Sequence, residues 1–207
     1  MAQNKLVKKL QNLDIMPLGK RETKTITKTK TELPLFKRLL KVDSEKLFYD
    51  FKKYSFNDSY LKSRSYIFEE NEIDVDEYIS YMNSIGFSKD TYRVLPLRDT
   101  DGNLTIEKDT HTYEFLNGWP TGIFRPQYNV TLDNWEIKSH IDYNDDSVHG
   151  FRVLIPLNKS SFMIVDGQEI ELEVNYSYFI NVTKPHSAWS NGNRVVLSFQ
   201  MNSDALL

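Results

Sequence analysis

The chain has 207 residues, 40% hydrophobic and 13% aromatic, with 26 Lys and Arg against 29 Asp and Glu for a net charge of -3. That is enough apolar mass for one sizeable core with appendages and too little for two large domains. Cysteine is absent, which excludes disulfides and thiolate metal sites, so any metal must be held by nitrogen and oxygen.

The net charge hides a split. Residues 1–53 carry 14 Lys and Arg against 6 Asp and Glu, and the remainder carries 12 against 23. A basic arm beside an acidic body can attract a polyanion, although a solvated terminus explains it as well. There is no apolar run of about 18 residues and no apolar core of a signal peptide, so a soluble, cytoplasmic protein without a membrane partner is expected. Scarce Ala beside abundant Asn, Lys, Ile and Tyr fits an AT-rich coding genome such as that of a phage.

Along the chain, residues 1–33 form a Lys/Thr-rich basic arm in which Thr23 to Thr31 alternates like an exposed strand. Residues 34–90 read as a helical support region. Pro34 opens a basic amphipathic stretch, Ser44 can cap a helix to about Tyr54 with Leu47, Phe48 and Phe51 on its apolar face, and a second helix runs from about Val75 to Ser84. Tyr78, Ile79, Met82 and Ile85 recur there at helical spacing, and Gly86 ends it. From Tyr92 the period becomes alternating: residues 92–97 read as a strand, followed by an Asp101-Gly102-Asn103 turn. Further strands are expected at 127–132, 135–141, 151–156, 161–165, 168–174, 177–182 and 194–201, with a tight hairpin at Asp166-Gly167. Short strands at this spacing over residues 91–207 favour a jelly roll or barrel, mainly β with flanking helices, in one globular domain. Gly118 to Gly122 interrupts the period as a rim loop or a plain connection.

His140-Ile141-Asp142 lies at the end of an alternating strand, where residues i and i+2 point to one side. His186 follows 44 residues after Asp142, and Arg194 follows that. Two imidazoles and one carboxylate occupy one face of an octahedral metal and leave positions open, the ligand set of non-haem Fe(II) oxygenases. An arginine adds a fixed fork for a carboxylate. If Asn191-Gly192-Asn193 is a three-residue hairpin loop, Ser190 pairs with Arg194 and His186 with Ser198, so His186 and Arg194 share a face. A two-residue Asn-Gly turn would separate them. The order of residues favours the first. His111 and His149 have no such partners in sequence.

On these residues, together with Phe151 to Leu157 and Ile180 to Ser187, the segment from about Tyr128 to Gln200 resembles the Fe(II)- and 2-oxoglutarate-dependent oxygenases. Within them it is most similar to the aspartyl/asparaginyl β-hydroxylase and free-proline hydroxylase group. The chain departs from some relatives in having Val196 where an Arg-x-Ser clamp has its Ser, and from others in keeping the aspartate ligand. The resemblance implies a cupin-like double-stranded β-helix with His140, Asp142 and His186 as Fe(II) ligands and as the catalytic set. It also implies 2-oxoglutarate and O2 as co-substrates, supporting ascorbate, and release of succinate and CO2 as an amino acid or amino-acid side chain is hydroxylated. Arg194 would hold the 5-carboxylate. Arg152 would contact the 1-carboxylate or a substrate carboxylate, against a surface ion pair with Asp145 or Asp146. Asn129 would hydrogen-bond the co-substrate, against an ordinary sheet residue.

Arg125, Arg152 and Trp189 are candidate contacts to a small-molecule, peptide or protein substrate, with plain packing as the competing role for Trp189. A nucleic-acid base hydroxylase is the alternative within the enzymes, encouraged by the basic arm but lacking an aromatic-basic pattern in the catalytic segment. A cupin-like metal or small-ligand binding module is the alternative outside them. The oligomeric state is not encoded in any pattern of this kind.

Overall fold

The computed structural model describes residues 34–54, 75–88, 90–99, 102–119, 122–142 and 151–201. The expected strand at Thr23 to Thr31, the Asp145-Asp146 turn, His149 and the centre of the Gly118 to Gly122 loop lie outside them. Among the described residues, ten strands and three helices follow in chain order: β1 (Phe36–Lys41), α1 (Ser44–Phe51), α2 (Val75–Ile85), β2 (Tyr92–Pro96), α3 (His111–Asn117), β3 (Ile123–Thr131) and β4 (Trp135–His140). Then come β5 (Phe151–Pro156), β6 (Ser161–Val165), β7 (Gln168–Leu172), β8 (Tyr176–Asn181), β9 (His186–Ser190) and β10 (Arg194–Met201).

The strands form two antiparallel sheets, a six-stranded one in the order β1-β8-β5-β10-β3-β2 and a four-stranded one in the order β4-β9-β6-β7. From β3 onward the chain passes repeatedly between them. That winding is a jelly roll of the cupin type, mainly β with flanking helices. Among the described residues no helix is long and apolar enough to cross a membrane.

Two apolar clusters explain the strand patterns. One lies between the sheets and contains Val94, Ile137, Leu154, Val165, Ile180, Ala188 and Val196. The other packs the far face of the large sheet, through Tyr128, Val153, Phe179, Leu197 and Phe199, against Leu47 of α1 and Leu116 of α3. The large sheet is therefore covered on both sides, and β10 is buried at all eight residues. On it, even-numbered residues face the small sheet and odd-numbered ones face the helices.

Local chemistry fixes the ends. Asp166 and Gly167 both take positive φ, 48° and 81°, as a two-residue hairpin between strongly twisted strands requires. The cap of α1 is Asp43, which accepts from the Lys46 N–H, rather than Ser44. Ser44 is instead the first helical residue, and its hydroxyl donates to the Pro156 carbonyl on β5. Buried Asp50 accepts from the Thr112 N–H and hydroxyl, and Thr112 in turn contacts the Tyr128 hydroxyl at 2.6 Å, locking α1, α3 and β3 together. The stretch 36–41, expected only as a basic segment before a helix, is the edge strand beside β8. Helix α3 falls where the sequence pattern had suggested only strands and turns.

Candidate metal centre

The small sheet carries the two histidines side by side, since His140 of β4 is the Cα partner of His186 of β9. On β9, His186 is buried and Ala188 and Ser190 point inward with it. On β4, Trp135 and Ile137 point inward, so unbroken alternation would turn His140 out to solvent. A bulge between Ile137 and His140 supplies the extra residue that turns it in. Asp142 lies just past β4 and is held by its own N–H, which donates to the Val182 carbonyl at 3.2 Å.

Side-chain geometry completes the cluster. Asp142 Oδ1 lies 3.2 Å from His140 Nε2 and 3.8 Å from His186 Nε2, and the three candidate donor atoms fall within 4.8 Å of one another. Both rings are oriented in the same way, each Nδ1 meeting the carbonyl two residues earlier: Lys138 at 2.8 Å for His140 and Lys184 at 3.0 Å for His186. Nδ1 must carry the proton to donate there, which turns each Nε2 lone pair to the centre, as in metal-ligating histidines. Two nitrogen lone pairs and a carboxylate oxygen then face one point, and only a proton or a cation reconciles them. Two N donors and one O donor within this span fit an octahedral metal with open positions.

Protonation favours the cation. Burial pulls His186 down to about 4, against the partial opposition of Asp142, leaving a neutral imidazole at pH 7. Burial works against ionising Asp142, but the adjacent Arg152 guanidinium favours the anion, and the carboxyl is held well below the usual range. Metal ligands must be deprotonated, and both are.

The edge of Phe87 covers His140, with ring centroids 5.8 Å apart. It also contacts Tyr92 and Trp135 at 4.7 and 6.4 Å. Gly86 precedes it at φ 110°, so close to β4 that a Cβ would sit 2.2 Å from the Glu136 carbonyl. The C-terminus of α2 thus abuts the strand that carries His140.

Arg194 opens β10 on its inward-facing parity and is 5% exposed. Its Nε has no hydrogen-bond partner, and no carboxylate pairs with it among the described residues. Burial pulls it down to about 10. The hairpin expected to set its direction is absent: β9 pairs with β4 and β6, β10 pairs with β3 and β5, and residues 191–193 cross from one sheet to the other. His186 and Arg194 share the interior because they face each other from two sheets. Arg194 lies level with Thr131, whose hydroxyl is 3.2 Å from that of Ser190. Ser190 is four residues along β9 from His186, about 13 Å at strand rise.

Other expected residues divide. Arg152 has its ion pair with the candidate ligand itself, 2.9 Å to Asp142 Oδ2; Asp145 and Asp146 lie outside the described residues. Asn129 lies inside, donating to Ser198 at 2.6 Å and accepting from Gln127 at 2.7 Å. Arg125 sits in a bulge of β3 opposite Phe199, in a left-handed conformation with φ 46°, at the Gln200 and Arg152 end of the sheet. Trp189 is a correction. Parity turns it to the outer face of the small sheet, stacked on Phe162 at 5.5 Å, so it does not line the interior. His111 is at the start of α3 in an exposed contact with Glu114. Ser198, Gln200 and Gln127 were missed, although Ser198 and Gln200 share the parity of Arg194 on one strand.

No protein-family model matches the chain, and comparison with curated proteins returns no match. Among solved structures, it is similar to the salicylate 1,2-dioxygenase from Pseudaminobacter salicylatoxidans at 12% identity and a TM-score of 0.38, over 54% of this chain and 26% of that one. It is also similar to a cupin superfamily protein from Desulfitobacterium hafniense DCB-2 at 13% identity and 0.34, over 54% and 79%. The chain thus spans about a quarter of the length of the salicylate dioxygenase. The jelly roll rests on the strand order of this chain, and no reaction follows from these neighbours.

Proposed function

We propose that the protein is an Fe(II)- and 2-oxoglutarate-dependent oxygenase that hydroxylates an amino acid or an amino-acid side chain. The observation that carries this reading is the pairing, within one barrel interior, of a His140–Asp142–His186 donor cluster with a buried Arg194 guanidinium that has no carboxylate partner among the described residues. A metal-binding jelly roll without a co-substrate has no use for the second element. Burying a charge without a partner is costly, and an anion brought from outside removes the cost.

Charge favours an anionic co-substrate. Asp142 and Arg152 compensate each other, so Arg194 and a divalent ion leave the interior strongly positive, and a dianion offsets most of that charge. A short diacid can place one carboxylate near the donors and the other at Arg194. Iron, 2-oxoglutarate and O2 together supply the oxidising chemistry that yields succinate, CO2 and the hydroxylated product, with ascorbate as a supporting reductant.

The residues of the chain supply geometry. His140 and His186 present Nε2 through their carbonyl-bound Nδ1 atoms, Asp142 presents Oδ1, and Arg194 fixes the far carboxylate. Asn129, Ser198 and Gln127 line the same interior face of β3 and β10 and orient the co-substrate. Val196, Leu154, Ile180 and Ala188 form an apolar wall that excludes water. Arg125, at a strained bulge on the donor end of the sheet, is the candidate substrate contact in place of Trp189.

The test incubates the protein with Fe(II), ascorbate, 2-oxoglutarate and pools of free amino acids, peptides and single-stranded DNA. Expected are succinate release and a product heavier by one oxygen atom. Metal retention without succinate from any pool would instead indicate a binding module, and oxygenation of DNA alone would move the substrate to nucleic acid.

A further inference from the structure

We infer that Arg152 is a positioning residue, which holds Asp142 so that one carboxylate oxygen, Oδ1, is offered to the metal and Oδ2 is withheld. The inference rests on the iron-site reading and adds a role that the ligand set alone does not contain.

Three observations support it. Asp142 lies beyond the last paired residue of β4, so its position depends on its N–H to Val182 and on its carboxylate contacts. Those contacts are divided by atom: Oδ1 faces both Nε2 atoms, and Oδ2 is 2.9 Å from an Arg152 nitrogen. Arg152 itself is anchored, as the second residue of β5 with Gln200 and Ile180 as Cα partners in the middle of the large sheet. The large sheet thereby reaches across the barrel and sets the carboxylate that serves the small sheet's histidines. A carboxylate free to rotate can bind through both oxygens and take a coordination position that the reaction needs open.

At a pH where Asp142 stays ionised in the variant, charge alone predicts the opposite outcome, which makes the role testable. A guanidinium beside a dication repels it, so a bystander Arg152 would weaken metal binding and its removal would strengthen it. For an orienting partner outside the ligand set, removal weakens affinity, typically by about 10–100-fold.

The experiment measures Co(II) affinity and the visible d–d spectrum, which reports coordination number, for wild-type protein, Arg152→Ala and Arg152→Lys. Melting of the metal-free proteins checks that the fold is intact. Arg152→Ala should lose about 10–100-fold in affinity with an altered spectrum at unchanged melting, and Arg152→Lys, which keeps the charge without the planar fork, should recover part of both. Affinity in Arg152→Ala within twofold of wild type, or tighter, overturns the inference. So does unchanged Co(II) affinity with a raised KM for 2-oxoglutarate, which would assign Arg152 to the co-substrate. Wild-type protein that binds no Co(II) would instead remove the metal-site reading itself.

Discussion

At the scale of single residues, Arg194 separates function from stability. Its guanidinium is buried with no acid partner among the described residues, a state that costs the metal-free protein and that a diacid would relieve. Arg194→Met keeps most of the volume and removes the charge, so the metal-free variant should melt at or above the wild-type temperature. The same variant should raise the KM for 2-oxoglutarate by at least about 30-fold, since truncating one side of a buried charge pair costs at least about 2 kcal/mol, while leaving Co(II) affinity within a few-fold. Initial-rate kinetics and calorimetric metal titration measure the two. A fall in stability together with an unchanged KM would mean that Arg194 serves the core. His140→Ala should behave in the reverse sense, losing metal affinity by more than about 100-fold because two protein ligands remain.

At the scale of elements, the junction between α2 and β4 sets where His140 sits. Gly86 has both a left-handed φ of 110° and no room for a Cβ beside the Glu136 carbonyl. Gly86→Ala should therefore destabilise the protein by about 2–4 kcal/mol and weaken metal binding together, because Phe87 and β4 must move apart. Urea unfolding and Co(II) titration of the same sample check both; loss of stability with full metal affinity would uncouple the junction from the site. Strand parity was readable in the sequence, although the three-residue hairpin expected to put His186 and Arg194 on one face is absent. Which strand lies beside which was not readable. Alternation records the face a residue uses, and a three-residue linker such as Asn191-Gly192-Asn193 serves a hairpin or a crossing between sheets equally well. The same limit hid the bulge before His140, which the Trp135 and Ile137 parity contradicts and only the pairing with β9 reveals. Trp189 was misassigned because nearness in sequence to His186 outweighed its odd parity. Helix α3, at seven residues, is too short for a periodic signal, and β1 gained its place from β8 rather than from its own pattern.

At the scale of the whole molecule, the donor cluster couples folding to pH and to metal in one direction. His186 has a pKa of about 4 when folded against 6.5 ordinarily, so between those values the unfolded chain carries a proton that the folded one refuses. Stability of the metal-free protein should then fall as pH drops from about 6.5 to 4. Asp142, whose folded value lies below its ordinary 3.8, adds a further loss as pH falls below that value. A metal that binds only the folded state adds RT ln(1 + [M]/Kd), about 2.7 kcal/mol at one hundred times Kd, or roughly 5–10 °C in melting temperature for a chain of this size. That increment should itself shrink as pH approaches about 4, where protons compete with the ion for the His186 nitrogen. Melting curves at pH 4, 5, 6 and 7.5, with and without Co(II), measure both slopes. His186→Gln should flatten the metal-free slope above pH 4 and abolish the metal increment at every pH. A metal increment that survives His186→Gln would locate the ion away from the barrel interior.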